Sequence, residues 1–152
     1  MQTIAIDFDG VIHKYSKGWS DGSVYDIPVE GVFETIQELM ETHTVFVFST
    51  RKPKQIREWL LQHVMEQYFG DDPHDPKDWS WGKYGFTIKV IPWWVKFWNK
   101  KNVLGITRRK LPAMCYIDDR AIQFKGDWNR TLTDIKNFKT YQENEKATRV
   151  AV

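Results

Sequence analysis

The chain alternates short apolar runs with longer amphipathic stretches. Gln2–Phe8, carrying Thr3, Ile4, Ala5, Ile6 and Phe8, predicts a strand that stops at Asp9-Gly10, where glycine permits a sharp exit. Residues 11–29 scatter aromatics among Gly18, Asp21, Gly22, Asp26 and Pro28, the composition of a loop or short flap. From Glu30 the apolar positions Val32, Phe33, Ile36, Leu39 and Met40 recur at helical spacing, predicting an amphipathic helix that ends near Thr42. Thr44–Phe48 is a continuous β-branched and aromatic run, the mark of a strand covered on both faces. Pro53 suits the first turn of a helix whose apolar positions are Ile56, Trp59, Leu60, Val64 and Tyr68. Gly70–Lys83 reads as a loop, Phe86–Ile91 as a strand, and Pro92–Lys101 as an amphipathic helix with Trp93, Trp94, Phe97 and Trp98 on one side. Ala113–Ile117 is a further buried strand. Ile122–Phe124 suggests an edge strand, Leu132–Phe138 a last helix, and the polar stretch after Tyr141 a frayed tail.

Strands alternating with helices predict an α/β fold around a mainly parallel sheet, organised as one domain over residues 1–140 with a flexible tail over 141–152. With 152 residues and 41% hydrophobic side chains, a real core is expected. No apolar run approaches the roughly 20 residues that span a bilayer, and the N-terminus lacks the charged and apolar regions of a signal peptide. The single cysteine, Cys115, lies in an apolar run, where it reads as an inert core residue and suits a reducing compartment. A cytoplasmic protein without a membrane partner is therefore expected. The formal net charge of +2 does not by itself call for a nucleic-acid partner.

Candidate chemistry sits where strands end. In parallel sheets ligands bind beyond the C-terminal strand edge, and here those ends carry Asp7/Asp9, Ser49 and Asp118/Asp119. Asp7 and Asp9 share one face in extended backbone, roughly 6.6 Å apart. Four converging carboxylates repel one another unless a cation compensates, and hard oxygen ligands favour Mg²⁺, which bridges to phosphate. The metal set is thus Asp7, Asp9, Asp118 and Asp119, with Asp118 preferred within the acidic pair. Asp7 then reads as a nucleophile on phosphorus, and Asp9 as the acid that protonates the leaving oxygen and afterwards activates water. Ser49, with Thr50 as its neighbour, and a lysine would hold the phosphoryl oxygens. The plainer reading of Ser49 is a cap on the helix that follows.

Asp7-Phe8-Asp9-Gly10-Val11, Ser49 after Val45-Phe46-Val47-Phe48, and Asp118-Asp119 after Tyr116-Ile117 together resemble, in order and strand context, the motifs of the haloacid dehalogenase-like superfamily. The resemblance covers roughly residues 2–126 and implies a Rossmann-like three-layer sandwich. It also implies a phosphoaspartyl intermediate on Asp7, and Mg²⁺ held by Asp7, the Asp9 backbone carbonyl and the acid of the last motif. Retention of the second aspartate favours phosphate-ester hydrolysis. The lysine motif departs from the family's spacing. Lys110, eight residues before Asp118, is the choice, with Lys101, Lys100 and Lys89 as alternatives. Neither insertion point leaves room for a cap, so the chain is similar to the small capless subgroup. An uncovered site admits a small phosphomonoester such as a nucleotide, admits the terminal phosphates of DNA or RNA, or is covered by a second copy in a homodimer. A non-catalytic phosphate- or protein-binding module is the rival from outside enzymology.

Gly10, His13, Arg51 and Lys52 are further candidates for substrate contact, Gly10 being better suited to the turn itself. His43, His63 and His74 have no ligand-like spacing, and Asp71, Asp72, His74 and Asp75 read as a solvated loop. Trp79–Trp98 with its interleaved lysines reads as core or dimer packing, with base stacking as the sharper alternative.

Overall fold

The structure, a computed structural model, describes residues 1–70 and 87–151. Five parallel strands form one sheet: β1 (Thr3–Asp7), β2 (Thr44–Phe48), β3 (Thr87–Val90), β4 (Val103–Thr107) and β5 (Cys115–Ile117), in the order β3-β4-β2-β1-β5. The helices are α1 (Val32–Thr42), α2 (Pro53–Phe69), α3 (Trp128–Lys136) and α4 (Tyr141–Ala151), giving an α/β fold. By its internal contacts the chain forms two compact units, Met1–Ile117 and Asp118–Val152. No helix among the described residues is long and apolar enough to cross a membrane.

In the first unit the strand alternation sorts side chains onto two faces. Ile4 and Ile6 of β1, Val45 and Val47 of β2, and Leu104 and Ile106 of β4 share one buried cluster with Phe33, Ile36 and Met40 of α1 and Ile56, Leu60 and Val64 of α2. Both helices of this unit thus cover the same face. Ala5 and Phe46 point the other way, against Ile91, Trp98 and Leu111. At the roughly 25 cal/mol per Å² gained by burying apolar area, such a two-sided core is the principal term holding the sheet.

That second face explains a correction. Pro92–Lys101, expected as a helix, is irregular. The Trp98 indole is turned inward, 1% exposed, and donates to the Val103 carbonyl at 3.2 Å. The Trp98 carbonyl accepts from Thr3 Oγ1 at 2.9 Å and Thr44 Oγ1 at 3.3 Å. Its backbone is therefore satisfied by threonines at the sheet's start rather than by a helical turn. Trp93, Trp94 and Phe97 are exposed, so the four aromatics do not form one face.

Four smaller differences follow. β4 has no counterpart in the hydropathy pattern, because Gly105 interrupts its apolar run. Ile122–Phe124 is irregular and not a strand. β5 pairs only with β1, and its Cys115 is exposed rather than buried in the core, as expected of a three-residue edge strand. The polar stretch after residue 140 is helical rather than frayed. Thr140 N–H donates to Glu143 Oε2 at 2.8 Å and Glu143 N–H to Thr140 Oγ1 at 3.3 Å, a reciprocal capping box at the start of α4. Loop Gly70–Lys83 beyond its first residue, the Asp71–Asp75 cluster and Trp79–Phe86 lie outside the described residues.

Candidate active site

Parallel register aligns the strand ends. Asp7 of β1 is level with Phe48 of β2, Phe48 with Thr107 of β4, and Ile6 with Ile117 of β5. Ser49, Arg108 and Asp118 are therefore the first residues past their strands at the edge where β1 ends in Asp7. Ser49 N–H donates to the Thr107 carbonyl at 3.1 Å, tying β2's exit to β4's.

Beyond Asp7 the chain turns sharply. The amides of Val11, Ile12 and His13 all donate to the Phe8 carbonyl, at 3.3, 2.9 and 2.9 Å, and Gly10 stands at φ +85°, where a side chain would be strained. Gly10 thus serves the turn, as expected. Asp7 Oδ1 accepts from the Phe8 amide at 2.8 Å.

The turn brings Asp9 to two partners within the same unit. Asp9 Oδ1 accepts from His13 Nδ1 at 2.8 Å and Oδ2 from Arg51 Nε at 2.7 Å. Burial alone pushes the Asp9 carboxyl up, but the hydrogen bonds from His13 and Arg51 and the guanidinium charge outweigh it, holding the group below the usual carboxylate range. Asp9 is thus an ionised carboxylate at neutral pH.

His13, expected at the substrate, is fully buried. Its Nε2 accepts from the Asp26 amide at 2.9 Å, which assigns the ring proton to Nδ1 and makes His13 the donor to Asp9. Phe8 stacks on the ring at 5.4 Å, and Trp59 meets it edge-on at 5.5 Å. His13 therefore orients Asp9 from beneath. Arg51 is also buried. Its Nη1 donates to the Gly22 carbonyl at 2.7 Å, where Gln55 Nε2 joins it at 2.9 Å, so one residue pins the flap over residues 11–29 to α2.

Ser49 is buried, and its Oγ accepts from the Arg51 amide at 3.2 Å, the local turn expected of a serine ahead of a helix. Thr50 is exposed, and its carbonyl accepts from Arg108 Nη2 at 2.9 Å. Among the lysines, Lys100 and Lys101 precede β4 and so belong to the opposite sheet edge. Lys89 is exposed on edge strand β3. The Lys110 ammonium lies over the Tyr116 ring at 4.6 Å. Arg108, missed in the sequence because its strand was missed, stands at the same edge as Ser49.

Asp7 ends β1, and Asp118 and Asp119 directly follow β5. All offer hard oxygen, the donor type that suits Mg²⁺. Asp119 Oδ1 is buried with no hydrogen-bond partner among the described residues, an acceptor that a cation would satisfy. The Asp9 carboxylate is not in this group, since Arg51 and His13 occupy its oxygens.

Beside Thr50 and Arg51 opens a cavity of about 370 Å³ lined also by Trp19, Gly22, Lys52 and Arg108. The sequence reading had Arg51 and Lys52 but missed Trp19, which lay in loop-like composition without periodicity. No protein-family model, curated protein or solved structure matches the chain.

Proposed function

We propose that this protein is a Mg²⁺-dependent phosphatase that cleaves phosphomonoesters through a phosphoaspartyl intermediate on Asp7, on a Rossmann-like α/β scaffold of the kind its motifs resemble. The observation that carries this reading is the register of β1, β2 and β5, which aligns the exits of the three motif-bearing strands at one sheet edge.

Asp7, Asp118 and Asp119 would hold the ion, which when bound offsets the charge repulsion between a carboxylate and phosphate. In the first half-reaction an Asp7 carboxylate oxygen bonds to phosphorus as the ester P–O bond breaks, and Asp9 gives its proton to the leaving alkoxide. In the second, Asp9 takes a proton from water as the water oxygen bonds to phosphorus. The bond to Asp7 then breaks and inorganic phosphate leaves.

The ionised state of Asp9 suits the second half directly. For the first, Asp9 must take a proton from solvent before the ester P–O bond breaks, a step that a phosphate dianion nearby favours by disfavouring the charged carboxylate. His13 and Arg51 fix its orientation through both. Ser49, Thr50 and Arg108 supply donors at the adjacent strand exits.

Hydrolysis of an aryl phosphate by the purified full chain, with Mg²⁺ and with chelator, tests the reading. Metal-dependent release is expected, lost by at least about 10³-fold in Asp7→Asn while the fold persists. Turnover unaffected by Asp7→Asn would overturn it.

A further inference from the structure

We propose that the cavity beside Thr50 and Arg51 takes the base and second phosphate of a nucleotide whose first phosphate is the one removed. This rests on the phosphatase reading for the position of that first phosphate.

The lining supplies two kinds of recognition at once. Arg51, Lys52 and Arg108 bring three cations, and none of the described lining residues is acidic. Arg51 is already matched by Asp9, so the excess positive charge resides on Lys52 and Arg108. Both are exposed; Arg108 directly follows Thr107, and Lys52 lies two residues past Thr50. An anion beyond the scissile phosphate is what this charge would attract.

Trp19 supplies the flat partner. It is 68% exposed, an unusual place for an indole on a loop, yet it is held in position. The Arg51 guanidinium lies 5.4 Å from its ring, and Gly22 passes so close that an added Cβ would sit 3.5 Å from the indole edge. Gly22 is itself fixed by Arg51 and Gln55 through its carbonyl. The ring is therefore pre-positioned without being buried, as a stacking platform requires. The volume, about 370 Å³, falls in the range of small-ligand sites. A sugar phosphate would use the cations but leave the indole bare, and an aryl group would use the indole but leave the cations unmatched.

The shared chemistry is a nucleoside carrying two phosphates, present both in a free nucleoside bisphosphate and at a phosphorylated strand end. Equilibrium titration of the full chain without divalent cation distinguishes them. The probes are adenosine 3′,5′-bisphosphate, adenosine 5′-monophosphate, inorganic phosphate and a 5′-phosphorylated hexanucleotide, followed by calorimetry. The bisphosphate should bind at least about tenfold tighter than the monophosphate, and Lys52→Ala should erase most of that advantage. Trp19→Ala should weaken both nucleotides about tenfold, while Trp19→Phe keeps most of the affinity. A hexanucleotide at least about tenfold tighter than the bisphosphate assigns the site to strand ends, and one at least about tenfold weaker assigns it to free nucleotides. Equal binding of bisphosphate, monophosphate and inorganic phosphate, or nucleotide affinities unmoved in a folded Trp19→Ala chain, would overturn the proposal. Since the titration reads binding without turnover, a failure here is distinct from a failure to hydrolyse aryl phosphate.

Discussion

Arg51 Nε donates to Asp9 Oδ2 at 2.7 Å, joining the turn after β2 to the turn after β1 across 42 residues of sequence. The arginine side chain is 3% exposed and the aspartate 21%, so neither charge is well served by water. Removing one member of such a pair leaves the other uncompensated. Arg51→Ala should therefore destabilise the protein by about 3 kcal/mol, and it also frees Gly22 and the flap. Urea unfolding measures this; an unchanged midpoint would show that solvent screens the pair.

The same contact sets an acid limb. Burial raises the Asp9 carboxyl, but the His13 and Arg51 hydrogen bonds lower it further, so its folded pKa lies below the ordinary value. The stabilisation is then complete above the unfolded pKa, about 3.9, and is lost as pH falls through the folded value. Exposed Asp21 and half-buried Asp26 are also lowered, so the comparison must be between chains. Thermal midpoints of the parent and Asp9→Asn should differ most near neutrality and converge on acidification below about pH 4. A constant gap would contradict the ion pair.

How much was legible follows from which residues carry local signals. β1, β2, α1 and α2 were readable because their apolar positions keep one period and end at Gly10, Ser49 or a proline-led turn. The alignment of Asp7, Ser49 and Asp118 was readable for the same reason, since it needs only strand order and exit. β4 was not, because Gly105 breaks the run for a tertiary reason, and with it went Arg108. Pro92–Lys101 misled because Trp98 packs by a long-range contact that helical spacing cannot express. Helix α4 had its signal in Thr140-x-x-Glu143, but polarity masked it. His13 and Arg51 read as candidates for substrate contact because sequence gives no sign that Asp9 turns back to meet them.

Gly105 lends itself to a direct test. A Cβ there would lie 2.6 Å from Ile91 Cδ1 and 2.7 Å from Trp98 Cε2, well inside contact distance, with the indole itself pinned by its bond to Val103. Alanine normally favours a strand interior over glycine, so propensity predicts a small gain. Packing predicts the opposite, and the distances decide for packing. Gly105→Ala should lose about 1–3 kcal/mol by urea unfolding. A neutral or stabilising result would mean that Trp98 can shift freely.

Metal dependence offers a readout that needs no substrate. If Asp7, Asp118 and Asp119 hold Mg²⁺, the ion binds the folded chain and not the unfolded one, so it must raise stability by mass action. Saturation to about 100 times the dissociation constant would contribute about 2.7 kcal/mol, visible as a higher thermal midpoint reversed by chelator. Asp118→Asn removes one ligand charge and should raise the Mg²⁺ concentration giving half the shift by at least about tenfold. Asp9→Asn should leave that concentration nearly unchanged, because the Asp9 carboxylate is spent on His13 and Arg51. Equal sensitivity of both variants would mean that the Asp9 side chain swings from its buried partners to the metal, and the division of labour drawn between the two aspartates of β1 and its turn would fail.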